Sequence, residues 1–396
     1  MAITKQHILL GAPIWTSTGV FLIQAGAKIA SLTSTGLNSV LKCALDLAVV
    51  AQRVKSIGRR LGSSIIFLAV IASAGSASAA DTMSTSATAE PDNNVPFFLS
   101  IDNRATFAYQ STSTQPGIAG KTAKQIFEVS HFDIWRYGAN LVIVDLLKSD
   151  HADPAAPCLS PTGPTTGCAG ATEVYGLFRS TFGFNEILGA TAFSKGPLRN
   201  VSFLVGADAN RDDRYSSARK RSLVAGLQFA FNLPYKGFLN VSPLYYKEAN
   251  RNAYVRCDVA GGIPGESCLT DGNLAYRGTW AVETSYYMDL GFLPARLQYF
   301  SVRGRINFYG PKGGENSPLP STPTRLEIDS EPIRLSFDVG KAFRGSKLTH
   351  KLDLWVAYRY WRNKYGFDHN ASPVCIGVNA GSCVEKSLYL GITVKL

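Results

Sequence analysis

The chain has 396 residues, 40 of them Lys or Arg and 29 Asp or Glu, and 45% are hydrophobic. Seven basic residues and one acidic residue fall within the first 80; the remaining 33 basic and 28 acidic residues leave an excess too small and dispersed for nucleic-acid binding. No stretch after residue 80 reaches 18 consecutive apolar residues, which excludes membrane helices there but not a membrane barrel, whose apolar residues come every second position.

Residues 54–80, VKSIGRRLGSSIIFLAVIASAGSASAA, have the order of a secretory signal: Lys55, Arg59 and Arg60, the apolar run Ile65 to Ile71, then small residues from Ala72 to Ala80. Residues 1–53 carry no repeat, clear heptad or catalytic constellation, which fits a start assigned too early or an extended leader. A membrane helix over Ile8 to Ala27 is a third reading, weakened by the Gly, Pro, Ser and Thr in that stretch. All three export the remainder, so the mature chain is expected to begin near Ala80 or Asp81. A short periplasmic segment at 81–96 would then precede a barrel at 97–396.

Cys43 lies in the leader, and the other six cysteines form three close pairs: Cys158 with Cys168, Cys257 with Cys268, and Cys375 with Cys383. Each sits in a stretch rich in Gly, Pro, Ser or Thr, and no C-x2-C spacing with nearby His or Cys is present. Behind an export signal this predicts three loop-local disulfides in an oxidising compartment, with no metal site and no cofactor.

From Phe97 onward a two-residue period replaces any helical period. In TWAVETSYYMDL, Trp280, Val282, Tyr286, Met288 and Leu290 share one face, with Glu283, Tyr287 and Asp289 on the other; KSLYLGITVKL repeats the pattern. Twelve such segments are predicted, at about 97–110, 121–135, 139–148, 171–184, 198–207, 218–232, 237–248, 276–290, 296–309, 325–339, 348–362 and 386–396. Connections after even segments are mostly short and those after odd segments mostly long, and all three cysteine pairs lie in the long ones.

A soluble Greek-key sandwich gives no reason for that one-sidedness, whereas an antiparallel outer-membrane barrel does. The expected fold is therefore all-β: a transmembrane antiparallel barrel of about 12 strands, with long disulfide-bearing external loops and both termini periplasmic, in the outer membrane of a Gram-negative bacterium. Lipid on the outside sends the apolar faces outward. Arg303, Arg305, Lys351, Asp353, Arg359, Glu283 and Asp289 then point inward. Two segments break the rhythm: Pro332 suggests a bulge, and His131 and Asp133 share the parity of Phe127 and Val129.

Three stretches carry a family resemblance: FEVSHFDIWRYGANLVIVDLLKSD (127–150), SLVAGLQFAFNLPYKGFLNVSPLYY (222–246), and RLSFDVGKAFRGSK with YRYWRNKYG (334–347 and 358–366). Together they resemble the nucleoside-specific channel-forming (Tsx-like) outer-membrane proteins over most of residues 120–396. The resemblance implies a 12-stranded barrel with a narrow lumen for nucleosides or similar solutes, and external loops that serve phages or bacteriocins as receptors. The chain departs from the family in three ways. EVYGLFRSTFGF retains Arg179 without the usual Pro-Arg, the cysteine pairs are additions, and the last residue is Leu396 where many barrels end in Phe or Trp.

A channel needs groups that replace part of a solute's hydration. Tyr175, Tyr287, Tyr299 and Trp355 are candidates for stacking on a base; Glu283, Asp353, Arg303 and Arg359 for bonding ribose hydroxyls; and Asp145 and Arg179 complete the expected lumen set. The competing reading is that these charges only pair with one another to stiffen the wall. Tyr358 and Tyr360 are expected in the outer aromatic girdle, Trp361 inward, and Arg362 and Lys364 at the external rim. His131, His151, His350 and His369 lie near no G-x-S-x-G or comparable nucleophile motif, which argues against an enzyme. A general porin and a plugged adhesion barrel are the remaining alternatives. The expected partners are outer-membrane lipid and lipopolysaccharide, small solutes and the barrel assembly machinery.

Overall fold

The computed structural model describes residues 96–396 apart from positions 157, 161–162, 165–167, 216–218, 252, 261–262, 267 and 314–323. The leader, the signal peptide and nearly all of 81–96 lie outside the described residues. Twelve long strands follow one another: β1 (Phe98–Ser113), β2 (Thr122–Trp135), β3 (Gly138–Ser149), β4 (Thr172–Gly183), β5 (Leu198–Asp212), β6 (Arg221–Leu233), β7 (Gly237–Arg251), β8 (Thr279–Asp289), β9 (Phe300–Tyr309), β10 (Glu327–Asp338), β11 (Leu352–Arg362) and β12 (Val384–Lys395). Each pairs antiparallel with its neighbours in sequence, and β12 returns to β1 with Arg104 opposite Lys395 and Gln110 opposite Tyr389, closing a barrel. A short strand, Asn273–Ala275, extends the sheet beside the end of β7.

All twelve expected segments form strands, with ends shifted by a few residues. The largest shift is in β5, expected to stop at 207 and continuing to Asp212. Its last turns, ADANRD, are polar because Asp208, Asn210 and Asp212 are buried inside the barrel, where Arg179, Glu173 and Arg214 bond them. Lys351, expected on β11, lies in the turn before it.

The burial pattern is that of a soluble protein turned inside out. On β12, Leu388, Leu390, Ile392 and Val394 are exposed, whereas Glu385, Ser387, Tyr389 and Thr393 are buried. Phe107, Phe127, Val144, Leu146, Phe178, Phe203, Tyr245, Trp280 and Leu354 continue the exposed apolar surface around the wall. Only a hydrocarbon surround makes that arrangement favourable, and closure satisfies every strand's backbone within the sheet.

Connections after even strands form one end of the barrel, the turn end, and those after odd strands form the loop end. The WRYG stretch is the β2–β3 turn, where strands approach so closely that a Cβ on Gly138 would sit 1.8 Å from the Thr181 carbonyl oxygen. NLPYKGF is the β6–β7 turn, with Tyr235 and Lys236 both left-handed at φ 55° and 59°. Phe97, Trp135, Tyr137 and Phe182 pack ring to ring at the same end. At the loop end, Cys158–Cys168, Cys257–Cys268 and Cys375–Cys383 form disulfides with Cα separations of 5.9, 4.9 and 5.4 Å.

Both irregular strands are explained. Around Pro332, β10 shifts register against β9 between Arg303 and Arg305 and against β11 between Ser330 and Ile333, which is the expected bulge. On β2, His131 and Asp133 do face outward with Val129. They join a hydrogen-bonded chain on that surface, from Asn103 Oδ1 to His131 (2.6 Å), His131 to Asp133 (3.1 Å), Asn140 Nδ2 to Asp133 (3.0 Å) and Ser180 Oγ to Asn140 (2.7 Å).

Candidate functional site

The inward halves of the strands make three polar layers along the lumen. At the loop end, Glu173, Glu248, Glu327 and Glu385 stand on β4, β7, β10 and β12, all buried. Their cationic partners come largely from the connections. Arg214, after β5, bonds Asp153, Asp212 and Glu173. Lys312, after β9, places Nζ 2.5 Å from Glu248 and 2.8 Å from Glu327. Lys364, after β11, reaches Glu385 at 2.5 Å and donates to the Thr114 carbonyl at 2.6 Å.

The electrostatics separate the two lysines. Burial opposes the charge of Lys312, but two carboxylates hold its pKa above the usual lysine value. For Lys364 burial wins, pushing the ammonium down to about 8 while Glu385 pulls the other way. Lys364 was expected at the external rim; it is instead buried, because Asn363 and Tyr365 adopt left-handed conformations at φ 55° and 58° that turn the chain inward.

The middle layer is a ladder of ion pairs. Arg179 on β4 donates Nε and Nη2 to Glu283 on β8 (3.0 and 2.7 Å), and Nη1 and Nη2 to Asp208 on β5 (2.9 and 3.1 Å). Strands β4 and β8 are not neighbours, so this guanidinium cuts across the lumen and narrows it. Tyr175 donates to Asp208 at 3.4 Å. On the other wall, Asp329 receives Arg359 (3.0 Å) and Arg305 (3.5 Å), and Arg334 pairs with Glu331. The guanidinium of Arg334 also lies 3.7 Å over the Trp355 ring.

At the turn end, Tyr287 OH meets His350 Nε2 at 3.0 Å, and His350 Nδ1 lies 3.2 Å from Asp353 and 3.7 Å from Asp338. Burial lowers the His350 pKa, but Asp353, Asp338 and Asp289 together raise it above the ordinary value. Asp338, His350 and Asp353 could between them offer three ligand atoms to a metal ion. Asp338 is already committed to the turn, however, accepting from the backbone N–H of Lys341 and of His350 at 2.8 Å each.

Most of the sequence-predicted residues thus meet in the lumen: Tyr175, Arg179 and Glu283 in one group, Arg359 with Asp329, Trp355 under Arg334, and Tyr287 with Asp353 through His350. Asp145 is within reach of the charges of Arg305, Arg359 and Glu128, and its Oδ1 is buried without a hydrogen-bond partner among the described residues. Arg303 lies among the charges of Arg334, Glu331, Glu128 and Arg104, two like and two opposite to its own. Tyr299 stands apart, in the turn before β9, edge-on to Phe337 on the outward face. Asp208, Asp329, Glu331 and Arg334 were not singled out from the sequence; Asp208 lies beyond the expected end of β5, and Asp329 and Glu331 flank the break in rhythm at Pro332. Lys312, in GPKGG, offered no such signal.

The chain matches no family model and no curated protein. Among solved structures, the NanC porin aligns at 10% identity over 74% of this chain and 100% of that one, with a TM-score of 0.37. The β domain of the Bordetella autotransporter BrkA aligns at 7% identity over 75% and 99%, with a TM-score of 0.33. OprD of Pseudomonas aeruginosa aligns at 10% identity over 75% and 94%, with a TM-score of 0.21. Superpositions this loose carry no argument about what this chain does.

Proposed function

We propose that this chain is an outer-membrane channel through which small polar solutes, nucleosides in particular, diffuse passively. The observation that carries the reading is the inverted barrel itself: an exposed apolar wall around a lumen crossed by the Arg179–Asp208–Glu283 cluster. A wall of that kind has its low free energy in lipid, and a lumen of fixed donors and acceptors lets a solute exchange water for protein hydrogen bonds as it passes. The long disulfide-closed loops then face outward, and the turn end and both termini face the periplasm.

Nucleosides suit the lumen because their hydroxyls and ring nitrogens match its bidentate arginines and carboxylates, and because Tyr175 and Tyr287 supply aromatic surface along the same path. The family resemblance points the same way. The test is swelling of liposomes carrying the refolded mature chain, comparing adenosine, thymidine and uridine with sugars and amino acids of similar size. Faster entry of nucleosides supports the reading. Equal entry of all small solutes replaces it with a general porin, and no entry of any removes the channel.

A further inference from the structure

At the loop end of the lumen, three tyrosines surround the ammonium of Lys312. Its Nζ lies 5.3 Å from the ring centre of Tyr246, 5.8 Å from Tyr276 and 6.0 Å from Tyr309. The carboxylates of Glu248 and Glu327 close the remaining sides at 2.5 and 2.8 Å. Aromatic faces combined with carboxylates in a site withdrawn from water bind ammonium groups well, because the ring quadrupoles and the anions both attract the cation and water does not compete.

The cage and its occupant come from different parts of the chain. Tyr246 and Glu248 stand on β7, Tyr309 ends β9, Glu327 begins β10, and Tyr276 lies between β7 and β8. Lys312 enters from the connection after β9 and contributes only its flexible stem and head. Nor does it use up the cage. Glu248 Oε1 and the Tyr276 hydroxyl are both buried with no hydrogen-bond partner among the described residues, although either oxygen could accept from an ammonium. Lys220, the second cation nearby, sits over the Tyr246 and Tyr309 rings at 5.8 and 5.5 Å. With the Lys312 ammonium withdrawn, two carboxylates would face that single cation.

We propose that this cage is a binding site for a small primary ammonium group, held in the resting protein by Lys312 as a tethered ligand, for which amine-bearing solutes compete. It rests on the channel reading only for the route by which a solute arrives. Binding itself does not depend on conduction, so the two can fail separately.

Lys312→Ala removes the side chain beyond Cβ, and n-propylammonium supplies the same three carbons and nitrogen. For the full chain in detergent, calorimetric titration of Lys312→Ala should show saturable n-propylammonium binding, at least about tenfold tighter than for tetramethylammonium, which cannot donate hydrogen bonds, or for n-propanol, which has no charge. Adding Glu248→Gln should weaken that binding. Absence of saturable binding by folded Lys312→Ala, or equal binding of the three probes, overturns the proposal. Should that variant not fold, the wild type gives the answer through acetylation of Lys312 read by mass spectrometry. Displacement by n-propylammonium should raise its modification relative to that of the exposed Lys347 in the same sample, a ratio that cancels the reagent consumed by the added amine. An unchanged ratio overturns the proposal. Liposomes that conduct nothing would count against the channel and leave these binding measurements standing.

Discussion

Lys364 Nζ and Glu385 Oε2 lie 2.5 Å apart at the loop end of the lumen, with both side chains 2% exposed, and the two ends of this pair are unequally supported. Glu385 also accepts from Gln110 (2.6 Å), Ser113 (2.8 Å) and the Thr114 backbone N–H (3.1 Å), and Arg359 stands 3.3 Å away. Besides Glu385, Lys364 has the Thr114 carbonyl and the face of the Trp361 ring, 4.5 Å from Nζ. Replacing Glu385 by Gln should therefore destabilise the barrel by about 3–5 kcal/mol, the cost of stranding a buried charge. Lys364→Met should cost clearly less. Unfolding temperatures of the two variants, read from the heat-dependent gel shift, check the order.

Arg179 is the only cation bonded to both Asp208 and Glu283 among the described residues. Arg179→Met should leave two carboxylates facing the part of the lumen that the guanidinium now crosses. Potassium over chloride permeability should rise severalfold, since local charge sets which ion enriches there. Reversal potentials in a planar bilayer under a salt gradient measure the ratio; an unchanged ratio would mean that ions pass elsewhere.

His350 gives the turn end a pH dependence of definite sign. Its folded pKa is raised by Asp353, Asp338 and Asp289, so its contribution to stability is full below about 6.5, the ordinary histidine value, and is lost as pH rises through the higher folded value. Asn tolerates the left-handed backbone that His350 adopts at φ 57°, which makes His350→Asn the suitable variant. The wild type should exceed it in thermal stability by more at about pH 5.5 than at about pH 8.5.

Leu390 faces outward and is 62% exposed. Leu390→Arg should cost about 2–4 kcal/mol if it lies near the middle of a bilayer, falling toward zero if it lies near the surface. Urea titration of the folded fraction in liposomes gives that number. A cost near zero at Leu390 and at Ile392 alike would contradict a lipid-facing wall.

Reduction should act most strongly through Cys375–Cys383, because both sulfurs are buried in a cluster with Tyr365 and Phe367. A closed loop of this size contributes about 2–3 kcal/mol in the chain-entropy account. Scanning calorimetry of single Cys-pair replacements with Ser should show the largest loss for this pair.

How legible all this was in the sequence depended on whether the relevant force acts along one strand. TWAVETSYYMDL and KSLYLGITVKL display their faces because lipid and lumen impose opposite demands on successive residues. Pro332 announces its bulge because it cannot donate to the ladder. The outward His131 and Asp133 resisted reading, since what makes them tolerable is hydrogen bonding to Asn103, Asn140 and Ser180 on three other strands. Arg214, Lys312 and Lys364 were harder still. Nothing in a loop's composition says that one cation among several will be drawn inside, where four strand-borne glutamates wait.

The seam between β1 and β12 pairs residues nearly the whole barrel apart in sequence; Thr106 and Thr393, whose hydroxyls bond there at 2.9 Å, are separated by 287 positions. Such contacts form late, because so long a loop must first be closed. Until β12 docks, the growing sheet has two unpaired edges that can recruit a strand from another chain. Residues Val384–Lys395 therefore decide more than one-twelfth of the structure. Whatever delays their arrival turns a barrel precursor into an aggregation template, and substitutions there should lower the yield of folded protein well before they weaken the protein that does fold.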